Sequence, residues 1–113
     1  MAVDKSLISG STTLLILSLL EEKDMYGYEM IDTLKEKSNN VFELKAGTLY
    51  PLLHSMEEKG WLSVYEQEAG GKMRKYYRIT RDGKKQYQAK KKEWKEYSEA
   101  ILQVIGGVCF GTA

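Results

Sequence analysis

Cysteine, histidine and proline each occur once in the 113 residues, and no long apolar run is present. The lone Cys109 rules out an intrachain disulfide framework and a cysteine-based metal cluster. It suits a reducing cytoplasm and reads as a small apolar residue near a loose C-terminus. With His54 as the only imidazole, a metal centre or a catalytic triad has almost nothing to build on. No Walker loop, dinucleotide fingerprint or nucleophile elbow occurs either, so neither an enzyme nor a cofactor is expected. The run Leu14 to Leu20 is far too short to span a bilayer. It is followed by Glu21, Glu22, Lys23 and Asp24 without a small-residue cleavage site, so it is not read as a signal peptide. A cytoplasmic protein with no membrane partner is expected.

With 42% hydrophobic and 29% charged residues the chain has the make-up of one ordinary globular domain. Eight Tyr and two Trp supply much amphipathic surface, which favours partly wet contacts. The net charge of +1 hides a strong asymmetry. Between Gly70 and Lys95 there are eleven basic residues against Asp82 and Glu93, a local charge of +9 that leaves −8 for the remainder. Such a division points to a polyanion-binding face, or more plainly to a solvated basic helix.

Hydrophobic spacing divides the chain into four helices and a hairpin. The first helix is expected to begin near Ser9 to Thr13 and run to Lys23, with leucines on more than one stripe, so it must be buried on two sides, the second expected to be another protomer. Asp24 is read as the cap of a second helix, Tyr26 to Ser38, in whose first turn Gly27 allows close packing against the first. Ser38-Asn39-Asn40 ends it, and Val41 to Leu44 is extended. A third helix spans Ala46 to Lys59, with Leu49, Leu52, Leu53 and Met56 inward and Gly60 as its left-handed stop. Pro51 is placed early in this helix, where a missing N–H costs least. Alternation then predicts a two-stranded hairpin turning at Gly70-Gly71, with Tyr77 and Ile79 inward. Thr80 caps a last helix, Arg81 to Ile105, along which Tyr87, Trp94 and Ile101 recur every seven residues with Lys90, Tyr97 and Val104 at the second seam position.

This order is that of a mainly α (α+β) winged helix-turn-helix with a long C-terminal dimerisation helix. Residues 1–80 form the DNA-binding part, 81–107 the dimerisation helix and 108–113 a tail without an assigned role. The third helix is the expected recognition element and double-stranded DNA, as a palindromic operator, the expected partner. Lys45, Gly47, Thr48, Tyr50, Pro51 and His54 lie opposite its apolar stripe. Thr48 and His54 reach base edges, Tyr50 bonds a phosphate or stacks on sugar, and Gly47 lets the backbone approach. At the wing, Lys72, Arg74 and Lys75 are expected beside the flanking backbone or in the minor groove. Glu57 and Glu58 are read as solvated charges. The other reading open to this fold is a protein-interaction module for an acidic partner, against which the small, polar face of the third helix argues.

Four stretches, Tyr26-Gly27-Tyr28-Glu29, Gly47-Thr48-Leu49-Tyr50-Pro51-Leu52-Leu53, Met56-Glu57-Glu58-Lys59-Gly60 and Arg74-Lys75-Tyr76-Tyr77-Arg78-Ile79-Thr80, closely resemble the phenolic acid decarboxylase regulator family, usually called PadR. They occur in the family's order and spacing over about Thr12 to Trp94. The resemblance implies a homodimeric repressor whose third helix enters the major groove and whose last helix crosses its partner, as in the small subfamily. It also implies that Trp94 lines a pocket between protomers for a planar aromatic effector; the plainer reading, from the heptad, is a dry dimer seam of Tyr87, Trp94, Tyr97, Ile101 and Val104, any of which the pocket would share.

Overall fold

Leucine or isoleucine on nearly every side of the first helix demands neighbours, and the same chain covers much of it while leaving Thr13, Leu14 and Leu15 half-buried. The computed structural model describes residues 5–106, with side chains from residue 11 onward. Its elements are α1 (Lys5–Glu22), β1 (Met25–Tyr26), α2 (Gly27–Lys37), α3 (Ala46–Glu58), β2 (Leu62–Ala69), β3 (Lys72–Ile79) and α4 (Arg81–Val104). The expected tail, 108–113, lies outside the described residues, as does Cys109. Helix α1 begins earlier than Ser9 and is covered by α2 and β3 on one side and by α4 on another. Ile16, Leu17 and Leu20 are completely enclosed together with Met30 of α2 and Leu49, Leu53 and Met56 of α3. At roughly 1.5–3 kcal/mol for each large apolar side chain removed from water, this cluster is what fixes α3 on the other helices.

The sheet has three strands, ordered β1-β3-β2 and antiparallel throughout, where the sequence suggests a two-stranded hairpin. The additional strand is the pair Met25-Tyr26, bonded to Tyr77 and Tyr76. Its insertion ahead of α2 moves the helix start to Gly27 and overturns the capping role expected of Asp24. The N-cap is Tyr26, whose backbone N–H donates to Glu29 Oε1 at 3.4 Å. Asp24, too far from the first turn to cap it, accepts from Tyr65 Oη at 2.7 Å and Arg78 Nε at 3.2 Å and ties β1 to the hairpin.

Helix α3 ends in a Schellman motif: Gly60, at φ +80°, donates to Glu57 O and Trp61 N–H to Met56 O. Ala69 faces Lys72 across the hairpin turn, and Gly70 and Gly71, at φ +62° and +81°, occupy the two left-handed positions a two-residue turn of this twist requires. Thr80 Oγ1 accepts from Gly83 N–H at 3.0 Å and caps α4 as its sequence position predicts. Tyr77 and Ile79 are the buried residues of β3, and Tyr76 lies on the opposite face. No helix among the described residues is long and apolar enough to cross a membrane.

Candidate nucleic-acid interface

Burial of Leu49, Leu53 and Met56 turns the opposite side of α3 to solvent, and Lys45, Gly47, Thr48, Tyr50, Pro51 and His54 are all exposed there. At 100° per residue Gly47, Pro51, His54 and Glu58 fall along one line opposite the buried stripe, with Thr48 and Tyr50 to either side. Pro51 is the sixth residue of α3 and so lies beyond the first turn in which it was expected. The carbonyl of Gly47, four residues earlier, consequently has no helical donor. It sits on the exposed face, where another donor can reach it. His54 Nε2 stands 3.6 Å from Glu58 Oε1, with both side chains about 70% exposed. A pair so exposed contributes at most about 1 kcal/mol, so His54 is free to exchange it for another partner. Glu57 and Glu58 make the C-terminal half of α3 acidic, which leaves its N-terminal half as the end that suits phosphate.

The wing separates the three cations assigned to it. Alternation along β3 puts Lys75 on the face of Tyr77 and Arg74 on the opposite face, with Lys72 exposed at the turn. Lys75 is opposite Glu66 and Met73 opposite Glu68, so the basic count of this segment is partly balanced by acids of the neighbouring strand. Arg74 is less free than its sequence position suggests. Its guanidinium lies 4.5 Å from the centroid of Tyr26, and Nε donates to Ala69 O at 3.2 Å.

That guanidinium opens a stack across the outer face of the sheet. Tyr26 meets Tyr76 edge to face at 5.5 Å, Tyr76 stacks on Tyr65 at 5.6 Å, and Arg78 covers Tyr65 at 5.0 Å. The Asp24 carboxylate, hydrogen-bonded to the Tyr65 hydroxyl, pushes that phenol above its usual range, so it stays protonated and able to donate at neutral pH. Lys23 and Glu29, 2.9 Å apart, stand beside this group. The contacts that join β1 to the hairpin do not show in the sequence, because they link residues up to 54 positions apart.

At the far end, α4 runs for 24 residues, about 36 Å. Within the protomer its heptad is divided. Tyr87 packs on the core of its own chain with its hydroxyl 3.5 Å from Ser18 Oγ, and the Lys90 ammonium lies 5.6 Å from the Trp61 ring, so both are engaged within the protomer. The exposed stripe starts at Trp94 and continues through Tyr97, Ile101, Val104 and Ile105. Trp94 and Tyr97, with centroids 5.7 Å apart, also form one wall of an open groove of about 520 Å³ whose other wall is Thr13 and Leu14 of α1.

Residues 16–89 match the transcriptional regulator PadR-like family. The chain belongs to that family. An uncharacterised protein of Lysinibacillus sphaericus is 41% identical over 108 residues, covering 94% of this chain and 98% of that one. A transcriptional regulator of Clostridium thermocellum superimposes with a TM-score of 0.81 at 37% identity, over 87% of this chain and 96% of its own. A PadR family transcription regulator of Clostridium difficile gives 0.75 at 36% identity, over 84% of this chain and 98% of that one. The transcriptional regulator YqjI of Escherichia coli is 28% identical over 92% of this chain, which spans only 47% of that relative. PadR regulators bind DNA and are not enzymes.

Proposed function

We propose that this PadR-family protein is a cytoplasmic homodimeric repressor that holds a palindromic operator until a planar aromatic effector releases it. The observation that carries the reading is the pairing of a small, polar exposed face on α3 with an apolar stripe at the end of α4. The first suits a groove and the second suits a second copy of the same helix. Thr48 and His54 serve as base-edge contacts, Lys45, Tyr50, Lys72 and Lys75 as backbone contacts, and Gly47 and Pro51 set how near the helix axis comes. Trp94, Tyr97, Ile101 and Val104 form the dimer contact. Tyr87 supports it from within the protomer.

The dimer is tested by replacing Ile101 and Val104 together with glutamate, both being exposed and so free of a folding role within the chain. Sedimentation equilibrium is expected to show a monomer. Affinity for a palindromic duplex is expected to fall by roughly a hundredfold, because the second half-site ceases to be an intramolecular contact. A variant that stays dimeric would remove α4 from the interface.

The groove against α1 supports the effector reading. Its mixed wall of Trp94, Tyr97, Leu14, Thr13, Lys90 and Glu93 accepts a flat apolar body with a polar edge. Since Lys90 lines the groove and also covers Trp61, the two tryptophans must be separated before fluorescence can report on it. In a Trp61→Phe variant a planar aromatic dye is expected to quench the remaining emission and to compete with DNA. A dye that quenches only when Trp61 is present would place its binding elsewhere.

A further inference from the structure

Gly27 opens α2 and is buried. A methyl group on its Cα would stand 2.6 Å from Cζ and 2.9 Å from Cε1 of Tyr50, and nearer still to the hydroxyl. Its neighbour is thus a ring of α3, where the sequence suggested packing against α1. Gly27 has no left-handed backbone to sustain, so the requirement for glycine there is one of space. The same ring meets Tyr28 edge to face, with centroids 6.5 Å apart and planes at 70°. Burial and the nearby Tyr28 hydroxyl push the Tyr50 phenol up and Arg74 acts against them, so the ring stands where α2, α3 and the wing converge. It is 39% exposed.

We infer that Gly27 is a positioning residue for DNA binding, which acts through Tyr50: its missing side chain lets the phenol ring sit back against α2 and keeps the recognition face of α3 clear. This rests on the reading of α3 as the groove-binding helix. The dimensions make the point sharp. A helix with its side chains is about 10–12 Å across and the major groove about 12 Å wide, which leaves no room for an aromatic ring swung outward. A Cβ at position 27 would take the place of the ring and leave Tyr50 the outward direction, the side on which it already meets solvent. The ring would then stand where the flanking sugar-phosphate strand has to pass.

A double-variant cycle tests this on the full chain, using as probe a duplex that the wild-type protein enriches from a randomised pool. Affinities by fluorescence anisotropy and thermal melts are compared for wild type, Gly27→Ala, Tyr50→Ala and the two together. Gly27→Ala is expected to weaken binding by roughly tenfold, the scale of one good DNA contact. In the Tyr50→Ala background the same change is expected to do nothing, so that the double variant binds as Tyr50→Ala does. Equal losses in both backgrounds would overturn the inference, and so would an unchanged affinity of Gly27→Ala. If Gly27→Ala does not fold, the double variant still decides, since removing the ring must restore both folding and the binding of Tyr50→Ala. A wild-type protein that enriches no duplex would instead remove the DNA-binding reading on which the inference rests.

Discussion

Replacing Gly83 with alanine should lower the melting temperature by about 10 °C, followed by circular dichroism at fixed protein concentration. Gly83 is the only buried residue of α4, and its N–H donates to the capping hydroxyl of Thr80. A Cβ there would lie 2.8 Å from Ile79 Cγ1 and 3.1 Å from the carbonyl carbon of Trp61, and nearer still to the Trp61 carbonyl oxygen. None of these neighbours has room to retreat. The Trp61 carbonyl accepts the Thr80 N–H at 3.0 Å, Ile79 is buried, and Thr80 Oγ1 donates to Gly60 O. Overpacking of this kind costs typically about 1–3 kcal/mol, and each kilocalorie is about 4–8 °C in a domain near this size. The comparison is Gly47→Ala, which meets nothing within 4 Å and should stabilise α3 by up to about 1 kcal/mol. A Gly83→Ala protein that melts with the wild type would mean that the junction of α3, the hairpin and α4 is not closely packed.

The junction shows what local chemistry makes legible. Gly60 as a helix stop, Gly70-Gly71 as a two-residue turn and Thr80 as a cap depend on neighbours within a few residues, and each stands where its type predicts. The inward choice of Tyr77 over Tyr76 followed from alternation alone. Contacts between distant segments were not legible. Strand β1 has only two residues and no period to detect, so its pairing with β3, and with it the true role of Asp24, emerges only in three dimensions.

The candidate site divides along the same line. The exposed half of α3 was legible because its buried stripe fixes the opposite face. The state of individual side chains on that face was not. Tyr50 is drawn back by a missing side chain 23 positions away, Arg74 is stacked on Tyr26, and His54 leans on Glu58. The heptad of α4 is divided at Tyr87 for a related reason. Seven-residue spacing identifies a face, and the first turns of that face are covered by α1 of the same chain.

The central claim is that α3 and the wing bind duplex DNA together, with the wing acting on the phosphates. Lys72 and Lys75 are exposed, whereas Arg74 is engaged within the fold. If each lysine neutralises one phosphate, a dimer loses four contacts when both are replaced by alanine. The slope of log K against log salt should then shrink by roughly 3 to 4, since each phosphate contact contributes about 0.9 on B-form DNA. Because Lys75 faces Glu66, its share is the smaller of the two at low salt, and the slope discriminates better than affinity at a single concentration. The measurement that decides is this salt titration on a palindromic duplex enriched by the wild-type protein, carried out for wild type and for the Lys72→Ala, Lys75→Ala double variant. A steep slope that flattens in the variant is the predicted result; identical slopes, or no duplex retained by the wild type at any salt, would contradict the account.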